Sequence, residues 1–131
     1  MRGGRAGADV RSPRGAAPVS PTRRSKPALS REALELLATR FRALADATRL
    51  SLLQALFDEE RTVQDLCALT GASPANASKH LALLLEQGLV ARRREGLFTY
   101  YRIADATLER LCRLVCGSLA ERHESLRAHL V

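Results

Sequence analysis

The chain has 131 residues, three cysteines and a formal net charge of +7, which fits one domain with a tail. It has no apolar run near the roughly 18 residues of a membrane span. It also lacks a secretory signal, and its odd cysteine count does not predict a disulfide framework. We therefore expect a cytoplasmic protein with free thiols and no membrane segment.

Residues 1–28 differ in composition from the rest of the chain. They contain seven lysines or arginines and one acidic residue, whereas residues 29–131 contain fourteen basic and thirteen acidic residues. Because the first segment is rich in Pro, Gly, Ser and Arg, we predict a disordered basic tail followed by one folded domain. Such a tail either solubilises the chain or attracts DNA phosphates without sequence preference.

Three helices are predicted in the first half of the domain. The first has an apolar period that ends near Leu44. Asp46 is suited to cap the second helix, which runs to about Leu56. Thr62 is suited to cap a short third helix, which stops at Gly71.

The fourth helix follows after a tight connection. Ser73 is a good N-cap, and Pro74 fits the first helical position because its missing N–H would have no partner there. An apolar stripe at helical spacing continues to Leu85, and Gly88 ends the helix. Two short helices joined so closely are typical of a helix-turn-helix.

A β-hairpin and a long last helix complete the domain. Strand-forming residues flank a turn at residues 95–96, with strands at 89–94 and 97–103. Asp105 is placed to cap the last helix, whose apolar residues recur to Leu130. A winged helix-turn-helix reads the major groove with a helix whose first turns carry polar side chains. Its basic hairpin reaches the adjacent backbone or minor groove, and the fourth helix and the hairpin predicted here match this arrangement. The predicted order is α-α-α-α-β-β-α.

The first and last predicted helices carry broader apolar faces than one modest core can cover. Pairing with a second copy would cover both faces, so we predict a homodimer through the first and last helices. A two-fold dimer also suits a pseudo-palindromic operator in double-stranded DNA, whose half-sites lie about 34 Å apart.

Four segments together resemble the ArsR/SmtB family of bacterial winged-helix repressors. LADATRLSLLQAL (44–56) is similar to the family's second helix, and TVQDLCALTGASPANASKHLALL (62–84) to its helix-turn-helix. EQGLVARRREGLFTYYRI (86–103) is similar to its wing, and the last helix to its dimerisation helix. The resemblance covers about residues 30–123. It implies a homodimeric repressor that an inducer, often a metal or metalloid ion, releases from its operator.

The resemblance also implies which residues meet DNA. Asn76 and Ser78 can hydrogen-bond base edges, and Lys79 is suited to phosphate. His80 is either a DNA contact or a half-buried packing residue, and Arg49 either pairs with an acid or touches phosphate. Three consecutive arginines before the wing turn favour DNA contact over a solvated strand face. The predicted DNA-binding residues are Ser73, Pro74, Ala75, Asn76, Ser78, Lys79, His80, Arg92, Arg93 and Arg94.

The inducer sites that the family implies are incomplete in this chain. Thr62 and Gln64 stand where two arsenic-binding thiols would be, so that only Cys67 remains, and the zinc-type site lacks both of its histidines. Cys112 and Cys116 lie four residues apart on one helix face. This spacing suits binding of a soft metal or metalloid ion, thiol oxidation, or simple packing in a dimer core.

The sequence therefore leaves two function classes open. One is a repressor released by an inducer, and the alternative is a ligand-independent DNA-binding regulator or architectural protein whose cysteines are only structural. An enzyme is not indicated, because the sequence has neither a recognisable nucleophile constellation nor a glycine-rich phosphate loop.

Overall fold

The computed structural model describes residues 28–124 and 128–129. The predicted basic tail therefore lies outside the described residues except for Ala28, as do Leu126 and Leu130 of the predicted last helix. The chain divides after Leu36 into two compact units. Among the described residues, no helix has the length and apolarity that crossing a bilayer requires.

Helix α1 (Arg31–Leu44) begins in the first unit. Ser30 Oγ accepts a hydrogen bond from the Ala33 amide at 3.1 Å. Arg31 pairs with Glu35 one turn later at 3.2 Å, and both side chains are exposed. Such an exposed pair stabilises a helix by only about 0.2–0.5 kcal/mol.

Helices α2 (Ala47–Leu56) and α3 (Val63–Thr70) begin directly after the residues predicted to cap them. Asp46 accepts a hydrogen bond from a backbone amide in the first turn of α2 at 3.0 Å. Thr62 Oγ1 accepts from the Asp65 amide at 3.1 Å, and the Asp65 carboxylate accepts from the Thr62 amide at 3.4 Å. This reciprocal pair is a capping box, which satisfies two backbone donors at the start of α3.

The sheet has three strands, one more than predicted. Strand β1 (Arg61–Thr62) precedes α3, and helix α4 (Pro74–Glu86) leads into the hairpin strands β2 (Val90–Glu95) and β3 (Phe98–Ile103). The strand order is β1-β3-β2, with both pairings antiparallel. Two residues show no alternation of polar and apolar side chains, so the sequence pattern gave no sign of β1.

The last helix differs from the prediction at both ends. Helix α5 (Thr107–Arg122) has Ala106 as its N-cap with no side-chain cap bond, so the predicted cap at Asp105 is wrong. The Asp105 carboxylate instead accepts hydrogen bonds from the Thr107 amide at 3.0 Å and the Thr107 hydroxyl at 2.6 Å. The helix therefore begins at Thr107, one residue later than a cap at Asp105 would place it. At the other end, extended backbone at His123 (φ −129°) interrupts the single long helix that apolar spacing predicted.

The core of the second unit lies between α2, α3, α4 and the sheet. Burying one leucine side chain stabilises a fold by about 1.5–3 kcal/mol. Because the inner face of α4 contributes Leu81 and Leu84 to this core, the core determines which side of α4 remains exposed. The largest fully buried side chains are Leu52, Leu53, Leu66, Leu81, Leu84, Leu89 and Leu108.

Candidate nucleic-acid interface

A tight turn sets the direction of α4 relative to α3. Gly71 ends α3 in the left-handed conformation (φ 80°), and its amide donates to the Cys67 carbonyl at 2.9 Å. Ser73 Oγ then accepts a hydrogen bond from the Asn76 amide at 3.2 Å, and Pro74 is the first residue of α4. The predicted cap and the predicted helix start are confirmed, and the two helices form a helix-turn-helix.

The first turns of α4 present small and polar side chains to solvent. Of the seven residues of this segment that the sequence predicted at DNA, six are exposed and His80 is buried. Ala77 and Leu81 are fully buried on the core side, since residues three or four apart share a helix face. We call the six exposed residues the α4 surface. They are Ser73, Pro74, Ala75, Asn76, Ser78 and Lys79.

His80 contacts Arg49 of α2. His80 Nδ1 lies 3.2 Å from Arg49 Nη1. A guanidinium can only donate, so Nδ1 is the acceptor and the proton of the neutral ring belongs on Nε2. The His80 side chain is part of the packed side of α4, with 8% of the residue exposed. The other two hydrogen bonds of the Arg49 guanidinium go to backbone carbonyls and not to a carboxylate, and its contact with phosphate stays a prediction.

The three arginines of the hairpin lie on two faces of β2. Side chains alternate along a strand, so Arg92 and Arg94 share one face and Arg93 lies on the other. Arg92 and Arg94 are both exposed. The polar contact of Arg94 is a long one, from Nε to the Gly96 carbonyl at 3.4 Å. We call Arg92 and Arg94 the wing arginines.

Arg93 is bound within the protein. Its Nε lies 3.0 and 3.1 Å from the two carboxylate oxygens of Glu60, and its guanidinium also pairs with Glu95. The guanidinium carbon lies 4.6 Å from the ring centroid of Tyr100. The hydrogen bond from Arg93 lowers the pKa of Glu60, and those to Glu60 and Glu95 raise the pKa of Arg93. A DNA phosphate would therefore have to compete with two carboxylates for this side chain.

Cys112 and Cys116 line an open groove of about 480 Å³ between α2 and α5. Burial, followed by the neighbouring Cys116, raises the pKa of the Cys112 thiol. That thiol is therefore protonated at neutral pH and is a weaker nucleophile than a free surface cysteine. Cys67 lies elsewhere and packs partly buried against the core. The remaining groove residues are Leu50, Gln54, Phe57, Asp58, Glu109 and Arg113.

The two thiols do not complete a metal site by themselves. Within residues 28–124 and 128–129, no group of three or more His, Cys, Asp or Glu side chains could hold a metal ion. Protein sites for ions such as Zn²⁺ use about four ligands, or three with an open position. An ion at Cys112 and Cys116 would therefore need ligands from another chain or from solution.

Sequence reasoning missed the two contacts that organise this region. Arg49 and His80 are 31 residues apart, and Glu60 and Arg93 are 33 apart. Charge and local periodicity give no information on such distant partners. The one available signal was that Arg93 would face away from its two neighbours once β2 was recognised as a strand.

Comparison with known proteins gives one consistent family. The model described as "Bacterial regulatory protein, arsR family" matches residues 46–92. The transcriptional repressor SmtB homolog of Synechocystis sp. is 39% identical over 93 residues, which are 71% of this chain and 70% of that protein. The arsenical resistance operon repressor of Escherichia coli is 42% identical over 65 residues, 49% of this chain and 56% of that protein.

The fold agrees with these matches. The homodimeric winged helix-turn-helix DNA-binding domain Mb0332 of Mycobacterium bovis superposes with a TM-score of 0.62 and 39% identity, covering 69% of this chain and 86% of that one. This chain spans only 36% and 55% of the length of two further curated relatives. With its helix-turn-helix, its antiparallel wing and these matches, the chain belongs to the ArsR family of bacterial winged helix-turn-helix regulatory proteins.

Proposed function

We propose that this chain is a homodimeric transcriptional repressor that binds a pseudo-palindromic operator in double-stranded DNA. The observation that carries the proposal is the α4 surface: six small or polar residues, exposed at the start of a helix whose other face is anchored in the core. A helix of this kind can enter the major groove without displacing core side chains. We further propose that it acts in the cytoplasm and catalyses no reaction.

The proposed contacts divide into two kinds. Asn76 and Ser78 read base edges, because an amide and a hydroxyl both donate and accept hydrogen bonds. Ser73 and Lys79 hold phosphates, supported by the positive end of the α4 dipole. Pro74, whose side chain has no donor, makes apolar contact only, as does the neighbouring alanine.

The wing supplies the second contact. Arg92 and Arg94 reach the backbone or the minor groove beside the site that α4 reads. In this proposal Arg93 does not contact DNA, although the sequence predicted that all three arginines do. Its salt bridge to Glu60 holds the hairpin against the body of the domain, and its salt bridge to Glu95 lies within the hairpin. Arg93 therefore supports the wing and leaves DNA contact to its neighbours.

The proposed dimer forms through α1 and α5. Apolar side chains on both helices are exposed in the single chain, including Phe41 at 48%, Leu114 at 70% and Val115 at 49%. The relative Mb0332 is homodimeric, which supports the same assembly here. The basic segment 1–28 would then add sequence-independent attraction from both copies.

We propose that an inducer of this regulator acts at Cys112 and Cys116. Two thiols from each copy could together supply the ligands that a soft ion needs. The high pKa of Cys112 also allows the second possibility, in which both thiols only pack between the helices. The chain would then be a constitutive regulator or an architectural protein.

One experiment separates these alternatives. Reduced full-length protein is bound to a fluorescent duplex selected from a randomised library, and Zn²⁺, Cd²⁺ or arsenite is titrated while anisotropy is followed. Release by one ion that is lost on Cys112→Ser with Cys116→Ser supports an inducible repressor. Binding that survives every ion supports a regulator controlled by thiol oxidation or by another protein, or the constitutive regulator. Failure to select any sequence contradicts the proposed function.

A further inference from the structure

One guanidinium joins the end of α1 to α4. Arg49 Nε donates to the Ala43 carbonyl at 2.6 Å, and Nη2 donates to the Arg42 carbonyl at 3.1 Å. Both carbonyls belong to the last turn of α1, and the Arg42 carbonyl also accepts from the Ala45 amide at 3.2 Å. The remaining Nη1 donates to His80 Nδ1 at 3.2 Å. Arg49 thus contacts α1 and α4 from its own position on α2.

His80 is placed where a small movement would reach the α4 surface. It follows Asn76 by four residues and Lys79 by one, so it lies at the border between the core face and the exposed face. The leucines of α4 fix the depth of the helix, but apolar contacts are non-directional and do not specify its rotation closely. A hydrogen bond to a fixed charged donor does have a preferred direction.

We propose that Arg49 is a positioning residue for DNA recognition, acting through His80 to fix the rotation of α4 relative to α1. The inference rests on the proposed function. In the proposed dimer, α1 lies at the contact between copies. The same guanidinium therefore couples the orientation of each α4 surface to the orientation of α1 in that contact. Arg49 acts without touching DNA, and its role depends on the contact between its guanidinium and His80 Nδ1.

The test compares His80→Asn with His80→Leu in the full chain. Asparagine can accept with an oxygen near the position of Nδ1, whereas leucine has no acceptor. Binding to the selected duplex is measured by anisotropy. Thermal unfolding and far-UV circular dichroism verify that each variant is folded.

We expect His80→Leu to bind the selected duplex about ten-fold more weakly, equivalent to about 1.4 kcal/mol, and His80→Asn to bind like the wild type. Arg49→Lys keeps the charge but loses the planar fork, so it should resemble His80→Leu, and the two effects should not add.

The outcomes are distinguishable. Wild-type protein that binds no duplex overturns the proposed function and this inference with it. Wild-type binding with an unaffected His80→Leu overturns the inference alone. Equal losses in both His80 variants would also overturn it, because His80 would then only fill space.

Discussion

The wing arginines should set the salt dependence of DNA binding, and Arg93 should contribute little to it. The perturbation is Arg92→Ala with Arg94→Ala, compared with Arg93→Gln. Each phosphate contact contributes about 0.9 to the slope of log K against log salt concentration, because binding releases condensed counterions. Because each of the two bound copies loses both wing arginines, four contacts disappear and the slope should fall by about 3.6.

Arg93 is the matched control because it has the same charge and lies on the same strand. Its guanidinium is already paired with Glu60 and Glu95, so little counterion release is available to it. We expect Arg93→Gln to leave the slope nearly unchanged. A lower affinity at every salt concentration would still be consistent, since the hairpin would lose its attachment to the body.

The assay is anisotropy of a labelled selected duplex over a series of salt concentrations. Each variant is also measured on a duplex of scrambled sequence, which separates phosphate attraction from base readout. The reasoning is refuted if Arg93→Gln lowers the slope as much as a single wing-arginine substitution does. It is equally refuted if the wing double variant leaves the slope at the wild-type value.

Three further predictions test the fold and the assembly. Gly71→Ala should lower the free energy of unfolding by about 1–2 kcal/mol in denaturant titrations, because φ of 80° strains any residue with a Cβ, and Gly71→Asn should lower it less. Phe41→Glu should convert a dimer into monomers in sedimentation velocity, while Leu69→Glu, on α3 and 58% exposed, should leave it dimeric, and equal behaviour of the two would contradict a dimer through α1. The hydrogen bonds from Thr107 lower the pKa of Asp105, so its contribution is present above the unfolded-state pKa and is lost as pH falls through the lower folded value. Acid titration below about pH 4 should therefore destabilise the wild type more than Asp105→Asn, and parallel curves would contradict this assignment.

The sequence predicted elements whose signals are local. Ser73 and Thr62 cap α4 and α3 because a hydroxyl reaches an amide three residues away, which a sequence pattern records directly. The end of α4 is equally local: the Gly88 amide donates to Leu85 and the Leu89 amide to Leu84, the pattern of a Schellman motif.

Features that depend on distant partners could not be predicted in this way. The three arginines appear as one basic run in the sequence, but strand alternation and Glu60 separate Arg93 from the other two. His80 remained between two alternatives because its partner is Arg49 on another helix. The prediction that Asp105 is the N-cap was wrong by one position. Its carboxylate does accept hydrogen bonds at the start of α5, but it accepts them from Thr107 in a local turn.

The most direct test of the central claim is selection of duplex sequences by the full-length wild-type chain, followed by anisotropy on the enriched duplex and a scrambled one. We expect an enriched pseudo-palindrome bound by two copies, with a large preference over the scrambled duplex that Asn76→Ala reduces. Equal affinity for the two duplexes would contradict sequence-specific recognition by the α4 surface.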